Sequence, residues 1–232
     1  MTGPEASSVP TVTADQMREV DRIMVEELHI ELVQMMENTG RNLAELAIRL
    51  FEPVTATVLA GPGGNAGGGL AAARHLSNRG VSVRVVLSRP AAEMAPVPAH
   101  QLRILDRMGV PAAGEAEPAD VIVDALIGYS LRDDHARPAA ALIEWANTQP
   151  APVLALDTPS GLDATTGEPR SPRIRATATL TLALPKTGVV KAPQWVGRLF
   201  VADISVPPSV YRRMGIDAPS VFREDAIVEI GD

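Results

Sequence analysis

Thr55-Ala56-Thr57-Val58-Leu59-Ala60 runs directly into Gly61-Pro62-Gly63-Gly64-Asn65-Ala66-Gly67-Gly68-Gly69, and Leu70, Ala73 and Leu76 follow at helical spacing. The first six residues are short, apolar and partly β-branched, which predicts a buried strand. The glycines predict a turn, and the spacing over 70–76 predicts a helix. A glycine-rich turn between a strand and a helix lets backbone amides approach phosphate oxygens while the helix presents its positive end. Gly61-Pro62-Gly63 fits G-x-G, yet no Walker lysine follows. By itself the motif is as compatible with a tight structural turn as with a phosphate site.

The same alternation extends outward. Upstream, Met17, Val20, Ile23 and Met24 follow a Thr13 cap candidate at helical spacing, and residues 32–50 form a longer amphipathic run. Downstream, strands are predicted over 81–87, 121–125 and 153–156, with helices over 100–108 and 139–146. Parallel strands need crossovers long enough to hold a helix, so this order predicts a Rossmann-like, three-layer α/β fold, a mainly parallel sheet with helices on both faces. Residues 176–184 and 199–204 read as two further strands, expected as hairpin-like or edge additions. There is no internal repeat and no linker that would divide the chain. Residues 1–10 are expected to be a flexible tail without a secretory signature, and residues 11–232 a single domain.

The bulk composition excludes several classes. With 46% hydrophobic and 21% charged residues the chain can build a core, so disorder is excluded. No apolar run reaches membrane-spanning length. The absence of cysteine removes disulfides, thiolate nucleophiles and cysteine metal sites, and suits a reducing, cytoplasmic compartment. A formal charge of −7 with scattered basic residues argues against nucleic-acid binding. An anionic ligand must therefore be held by local amides, a cation or a few placed basic side chains.

Two further predicted strands end in carboxylates, Asp124 and Asp157. Ligands of open parallel sheets collect outside the carboxyl ends of strands, so the Gly61 turn, Asp124 and Asp157 are expected to converge on one crevice, although a lone Asp at a strand end is more often a cap or turn acceptor. Asn65, Asp124 and Ser160 offer oxygen donors suited to a hard cation. The four histidines show no metal-ligand spacing, and Ser160 sits outside a nucleophile elbow, so neither zinc nor a serine hydrolase is expected. Lys186, after a strand, either reaches an anionic ligand or is a solvated turn lysine. Met35 and Met36 are expected in a core or a partner-helix surface.

Together these residues resemble the NAD(P)H-hydrate epimerase family, the YjeF N-terminal domain proteins that include the animal apolipoprotein A-I binding protein. The resemblance spans residues 13–207. It is carried by Gln16-Met17-Arg18-Glu19-Val20-Asp21, Met36-Glu37-Asn38-Thr39-Gly40-Arg41, the Gly61 to Gly69 stretch with Ala72-Ala73-Arg74-His75-Leu76, Val123-Asp124-Ala125-Leu126-Ile127-Gly128, Asp157-Thr158-Pro159-Ser160-Gly161-Leu162-Asp163 followed by Gly167, and Ala202-Asp203-Ile204. Any one block is weak, but their order and spacing are specific. The resemblance implies a Rossmann-like homodimer that interconverts the R and S forms of hydrated NADH or NADPH, so that a separate dehydratase can restore the cofactor. It also implies a potassium ion held by Asn65, Asp124 and Ser160. Ligand contacts are implied at Gly63, Gly64, Asn65, Ala66, Gly67, Gly68, Gly128, Tyr129, Ser130, Leu131, Arg132, Asp133, Asp134, Lys186 and Asp157, with Asp157 the expected acid/base or ligand-orienting group.

The glycine turn departs from the family pattern. Where the family reads G-P-G-N-N-G-G-D-G, this chain has Gly64 for the first Asn, Ala66 for a Gly and Gly68 for the Asp. A lost carboxylate can cost orders of magnitude in rate where protons are handled. Two alternatives therefore stand beside an epimerase. One is a binding or scaffold module of the same fold, and the other is an isomerase whose pocket gains space at Gly64 and Gly68 for another ring.

Overall fold

The computed structural model describes residues 9–129, 133–218 and 221–231, with residues 133–138 described in backbone only. The chain opens with α1 (Ala14–Arg22), capped by Thr13. The Thr13 hydroxyl accepts from the Gln16 amide while the Gln16 side chain accepts from the Thr13 amide, which satisfies donors the helix cannot pair itself. One π-helical turn (Ile23–Glu27) leads to α2 (Leu32–Phe51). Then β1 (Thr55–Ala60), α3 (Gly64–Ser77), β2 (Ser82–Leu87), α4 (Pro96–Arg107), β3 (Ala112–Ala113), β4 (Val121–Ala125), α5 (Asp133–Thr148) and β5 (Val153–Leu156) alternate. The chain continues through β6 (Ala178–Leu182), α6 (Thr187–Val190), α7 (Pro193–Val196), β7 (Arg198–Ala202), α8 (Pro208–Arg213) and β8 (Ile227–Ile230).

The strands form one eight-stranded sheet in the order β3-β2-β1-β4-β5-β6-β7-β8, parallel throughout except for the β7–β8 pair. The expected α/β class is thus observed, with one correction. β6 and β7 are not a hairpin. They pair in parallel, because α6 and α7 between them supply a crossover that residues 187–196, interrupted by Pro193, had masked. The antiparallel edge is β8 instead.

Strand side chains alternate between two apolar layers. Val58, Ala60, Val123 and Leu154 pack with α1 to α4, whereas Leu59, Ile122, Val153 and Ala155 pack with Ala139, Ile143 and Ala146 of α5. Val9, within the stretch read as a tail, is buried in the first layer, and the Val12 amide bonds the Pro185 carbonyl at 2.9 Å. Residues 1–8 lie outside the described residues. Strand order reverses between β1 and β4, and in such sheets the crevice at that point, beyond the carboxyl ends, is where ligands bind.

Candidate functional site

A cavity of about 350 Å³ opens at this reversal point. Pro62 to Asn65 enter it after β1, Leu126 to Tyr129 after β4, Leu156 and Asp157 at the end of β5, and Leu182 at the end of β6. Asp21 from α1 and Leu32, Met36 and Thr39 from α2 close the remaining side. The three turns expected to converge do meet. The Gly61 amide bonds the Ala125 carbonyl at 3.1 Å, and the Asn65 side-chain amide donates to the Leu156 carbonyl at 3.2 Å.

The glycine stretch is not a long turn. Helix α3 begins at Gly64, and its first turns are the glycines themselves. Gly63 is the N-cap and brings no side-chain cap, so first-turn amides are left for a ligand. The later glycines serve close packing. A Cβ on Gly69 would lie 2.3 Å from Ala125 Cβ, and one on Gly68 would lie 2.5 Å from Thr39 Cγ2 and 3.0 Å from Leu156 Cδ2. Gly64, in contrast, faces open space. The expectation of extra room thus holds at Gly64 and fails at Gly68, where α2 and β5 already fill the volume. Gly68→Asp is expected to cost roughly 1–3 kcal/mol of stability through overpacking, and Gly64→Asn to stay within about 0.5 kcal/mol, as read by urea denaturation. Ala66, Gly67 and Gly68, expected as ligand contacts, are buried in α3 and do not line the cavity.

Asp157, on the cavity wall, belongs to a buried ion pair. Asp157 leaves β5 in the left-handed region at φ 66°, with the Thr158 amide turned back onto the Leu156 carbonyl at 2.8 Å. Its Oδ1 accepts a short hydrogen bond from Lys186 Nζ and a longer one from the Leu182 amide at 3.3 Å. Lys186 is fully buried, and its ammonium also donates to the Leu182 carbonyl at 2.8 Å. It is therefore not a solvated turn lysine, and its ammonium is held by Asp157 and the Leu182 carbonyl. The segment at Val12 holds it in place, since the Thr187 amide bonds the Val12 carbonyl at 2.9 Å.

Above this pair, the Tyr129 hydroxyl donates to Asp21, and the Lys186 ammonium lies 6.0 Å from the Tyr129 ring centre. Burial pushes the Asp21 carboxyl up, against the pull of the Tyr129 hydroxyl and the Lys186 charge. Burial, reinforced by the carboxylate of Asp21, pushes the Tyr129 phenol up as well, so it stays a proton donor.

Beneath the cavity floor, Asp124 is fully buried at the end of β4. Its carboxylate accepts from the Ser160 hydroxyl at 2.6 Å, the Ser160 amide at 2.8 Å and the Leu126 amide at 3.2 Å. Burial pushes its pKa up to about 6, against the downward pull of these three hydrogen bonds from neutral partners. The Ile127 amide donates to Ser160 Oγ at 2.9 Å, and the neighbouring Gly128 packs so closely on Asn65 that a Cβ there would lie 3.2 Å from its Oδ1. Asp124 and Ser160 are thus directly bonded, and Asn65 packs on Gly128, next to the residue whose amide bonds Ser160. Among the described residues there is no cluster of three His, Cys, Asp or Glu side chains able to hold a metal ion.

Of the other expected contacts, Ser130, Leu131 and Arg132 lie outside the described residues, and Asp133 and Asp134 begin α5 in backbone only. Asp21, Thr39, Met36 and Leu182 were not anticipated as site residues. For Asp21 and Thr39 a signal existed. Each is a polar residue on the apolar stripe of its helix, beside Met17 and Val20 or beside Met35 and Leu43.

Residues 32–188 match the family described as YjeF-related protein N-terminus. An NAD(P)H-hydrate epimerase of Dehalogenimonas lykanthroporepellens is 42% identical over 93% of this chain and 90% of its own length. An NAD(P)H-hydrate epimerase of Rhodopirellula baltica is 32% identical over 90% of this chain and 89% of its own length. A bifunctional NAD(P)H-hydrate repair enzyme of Salinibacter ruber is 34% identical over 95% of this chain, which spans 45% of that longer protein. In fold, the chain is similar to a yeast protein solved by crystallography, with a TM-score of 0.80 and 23% identity over 96% of this chain and all of that one. No described helix is long and apolar enough to cross a membrane. With the match covering β1 to β6 and every turn that builds the cavity, the chain belongs to the YjeF-related protein N-terminus family.

Proposed function

We propose that this chain is an NAD(P)H-hydrate epimerase, interconverting the R and S forms of hydrated NADH or NADPH. The observation that carries the reading is the buried Lys186–Asp157 pair, whose Asp157 lines a cavity shared with an uncapped helix N-terminus. The hydrate bears its hydroxyl on a ring carbon bonded to the ring nitrogen. Breaking that C–O bond sends its electron pair to oxygen, with a proton from the site, and releases water. The ring nitrogen lone pair stabilises the carbon left behind. Water then adds to the opposite face and gives its proton back to the site. Lys186 has two ammonium protons engaged by protein and one left to donate. Among the described residues both hydrogen bonds to Asp157 fall on Oδ1, which leaves Oδ2 to receive a proton. The amides of Gly64 and Asn65 suit the substrate phosphates.

The oxygen-only donor set of Asn65, Asp124 and Ser160, built around a buried carboxylate with neutral partners, fits a potassium ion. Bound there, the ion would neutralise Asp124 and tie the three turns together. Exchanging potassium for choline at equal ionic strength is expected to lower the melting temperature, by up to about 2.7 kcal/mol of stability if the site is occupied a hundredfold above Kd, and Ser160→Ala to abolish the difference. A melting temperature indifferent to the cation would remove potassium from the account.

The function itself is tested by following exchange between purified hydrate epimers in potassium buffer. A rate no faster than the spontaneous one would replace the epimerase with the binding module. The product form would pass to a separate dehydratase.

A further inference from the structure

We infer that the Thr39 hydroxyl is a substrate-binding group, a specificity element set beside the ion pair on the α2 wall of the cavity. Thr39 is fully buried and lines the cavity, yet its Oγ1 has no hydrogen-bond partner among the described residues. In mid-helix, a threonine hydroxyl ordinarily returns to a carbonyl one turn earlier. Here it does not. A buried hydroxyl without a partner is unfavourable in the free protein, so a ligand that supplies the partner recovers that loss on binding. Of the unpartnered buried side-chain atoms among the described residues, Thr39 Oγ1 is the one belonging to a residue of this cavity.

Its position identifies what it would touch. The point where a Gly68 Cβ would stand is 2.5 Å from Thr39 Cγ2 and 3.0 Å from Leu156 Cδ2, so Thr39 adjoins the end of β5 that carries Asp157. The amides suited to phosphate, those of Gly64 and Asn65, begin α3 one turn before Gly68. Its partner would be a polar substituent of the reduced ring, the hydroxyl or carboxamide, which Asp157 after the same strand β5 also serves. The methyl of Thr39 occupies the space that a side chain at position 68 would need, so Gly68 and Thr39 form a coupled pair. Glycine at 68 makes room for the threonine, and the threonine restores one polar group to the wall.

This assignment rests on the epimerase reading for its ligand. Wild type, Thr39→Val and Thr39→Ser are compared by melting with and without NADPH hydrate, and by kcat/KM for epimer exchange. Valine keeps the shape and removes the hydroxyl. Free Thr39→Val is expected to melt about 2 °C higher than wild type, since an unpartnered buried group is gone. Its hydrate-induced rise in melting temperature is expected to shrink, and its kcat/KM to fall roughly 10-fold, with Thr39→Ser within about threefold of wild type. A Thr39→Val protein equal to wild type in both ligand readouts overturns the assignment and leaves the epimerase reading intact. A free Thr39→Val that loses stability in step with activity also overturns it, by showing a structural role. If the wild type fails to exchange epimers, the reading falls, and the hydrate-induced shift alone judges Thr39. No shift in wild type overturns both.

Discussion

Lys186→Met is expected to reduce kcat/KM for epimer exchange by roughly 100-fold or more, the scale of a lost proton donor, and to lower stability by about 3–5 kcal/mol. Both effects have one cause. Lys186 is fully buried, and its ammonium is the charge that compensates the equally buried Asp157. Removing it strands a carboxylate in an apolar setting. The double variant Asp157→Asn/Lys186→Met separates the two roles. Asparagine accepts the left-handed backbone at φ 66° and carries no charge, so most of the stability should return while activity stays lost. Urea denaturation and steady-state kinetics on the same preparations check this. A Lys186→Met enzyme with wild-type kcat/KM would dismiss the ion pair from the chemistry. Arginine would not substitute, because its wider fork does not fit a site closed around one ammonium.

Gly61→Ala is expected to be the most damaging single-methyl change near the cavity, at about 3 kcal/mol. An added Cβ would lie 1.9 Å from the Leu126 carbonyl oxygen and 2.9 Å from its carbon. These are backbone atoms and cannot rotate away. Relief requires β1 and β4 to part just where the Gly61 amide bonds Ala125, so the turn carrying Leu126 to Tyr129 would shift and activity would fall in the fraction still folded. Gly64→Ala is the control. Position 64 faces open space at the first residue of α3, so that variant should stay within about 0.5 kcal/mol of wild type. Equal stability of the two variants, measured by urea denaturation, would show that the β1–β4 junction tolerates separation.

The α/β class, and the end of the sheet at which the cavity lies, were legible in the sequence. Alternating short apolar strands and helical spacings are local signals, and strand-end positions for Asp124 and Asp157 follow from them. The family blocks added the order in which those turns meet. What remained hidden was every relation between distant segments. Lys186 lies 29 positions from Asp157, and nothing local distinguishes a lysine in a Pro-Lys-Thr-Gly turn from a solvated one until the Val12 segment covers it. The first glycines of α3 resemble a flexible loop, because helix propensity counts against glycine. Glycine at 68 and 69 is required instead by the close approach of α2, β4 and β5, where a Cβ would collide. Thr39 shows in the chain only as a polar residue on an apolar stripe, and that its hydroxyl goes unpartnered emerges only when folding brings α2 against Gly68 and Leu156. Periodicity is written along the chain, whereas burial, charge pairing and steric room belong to the packed whole.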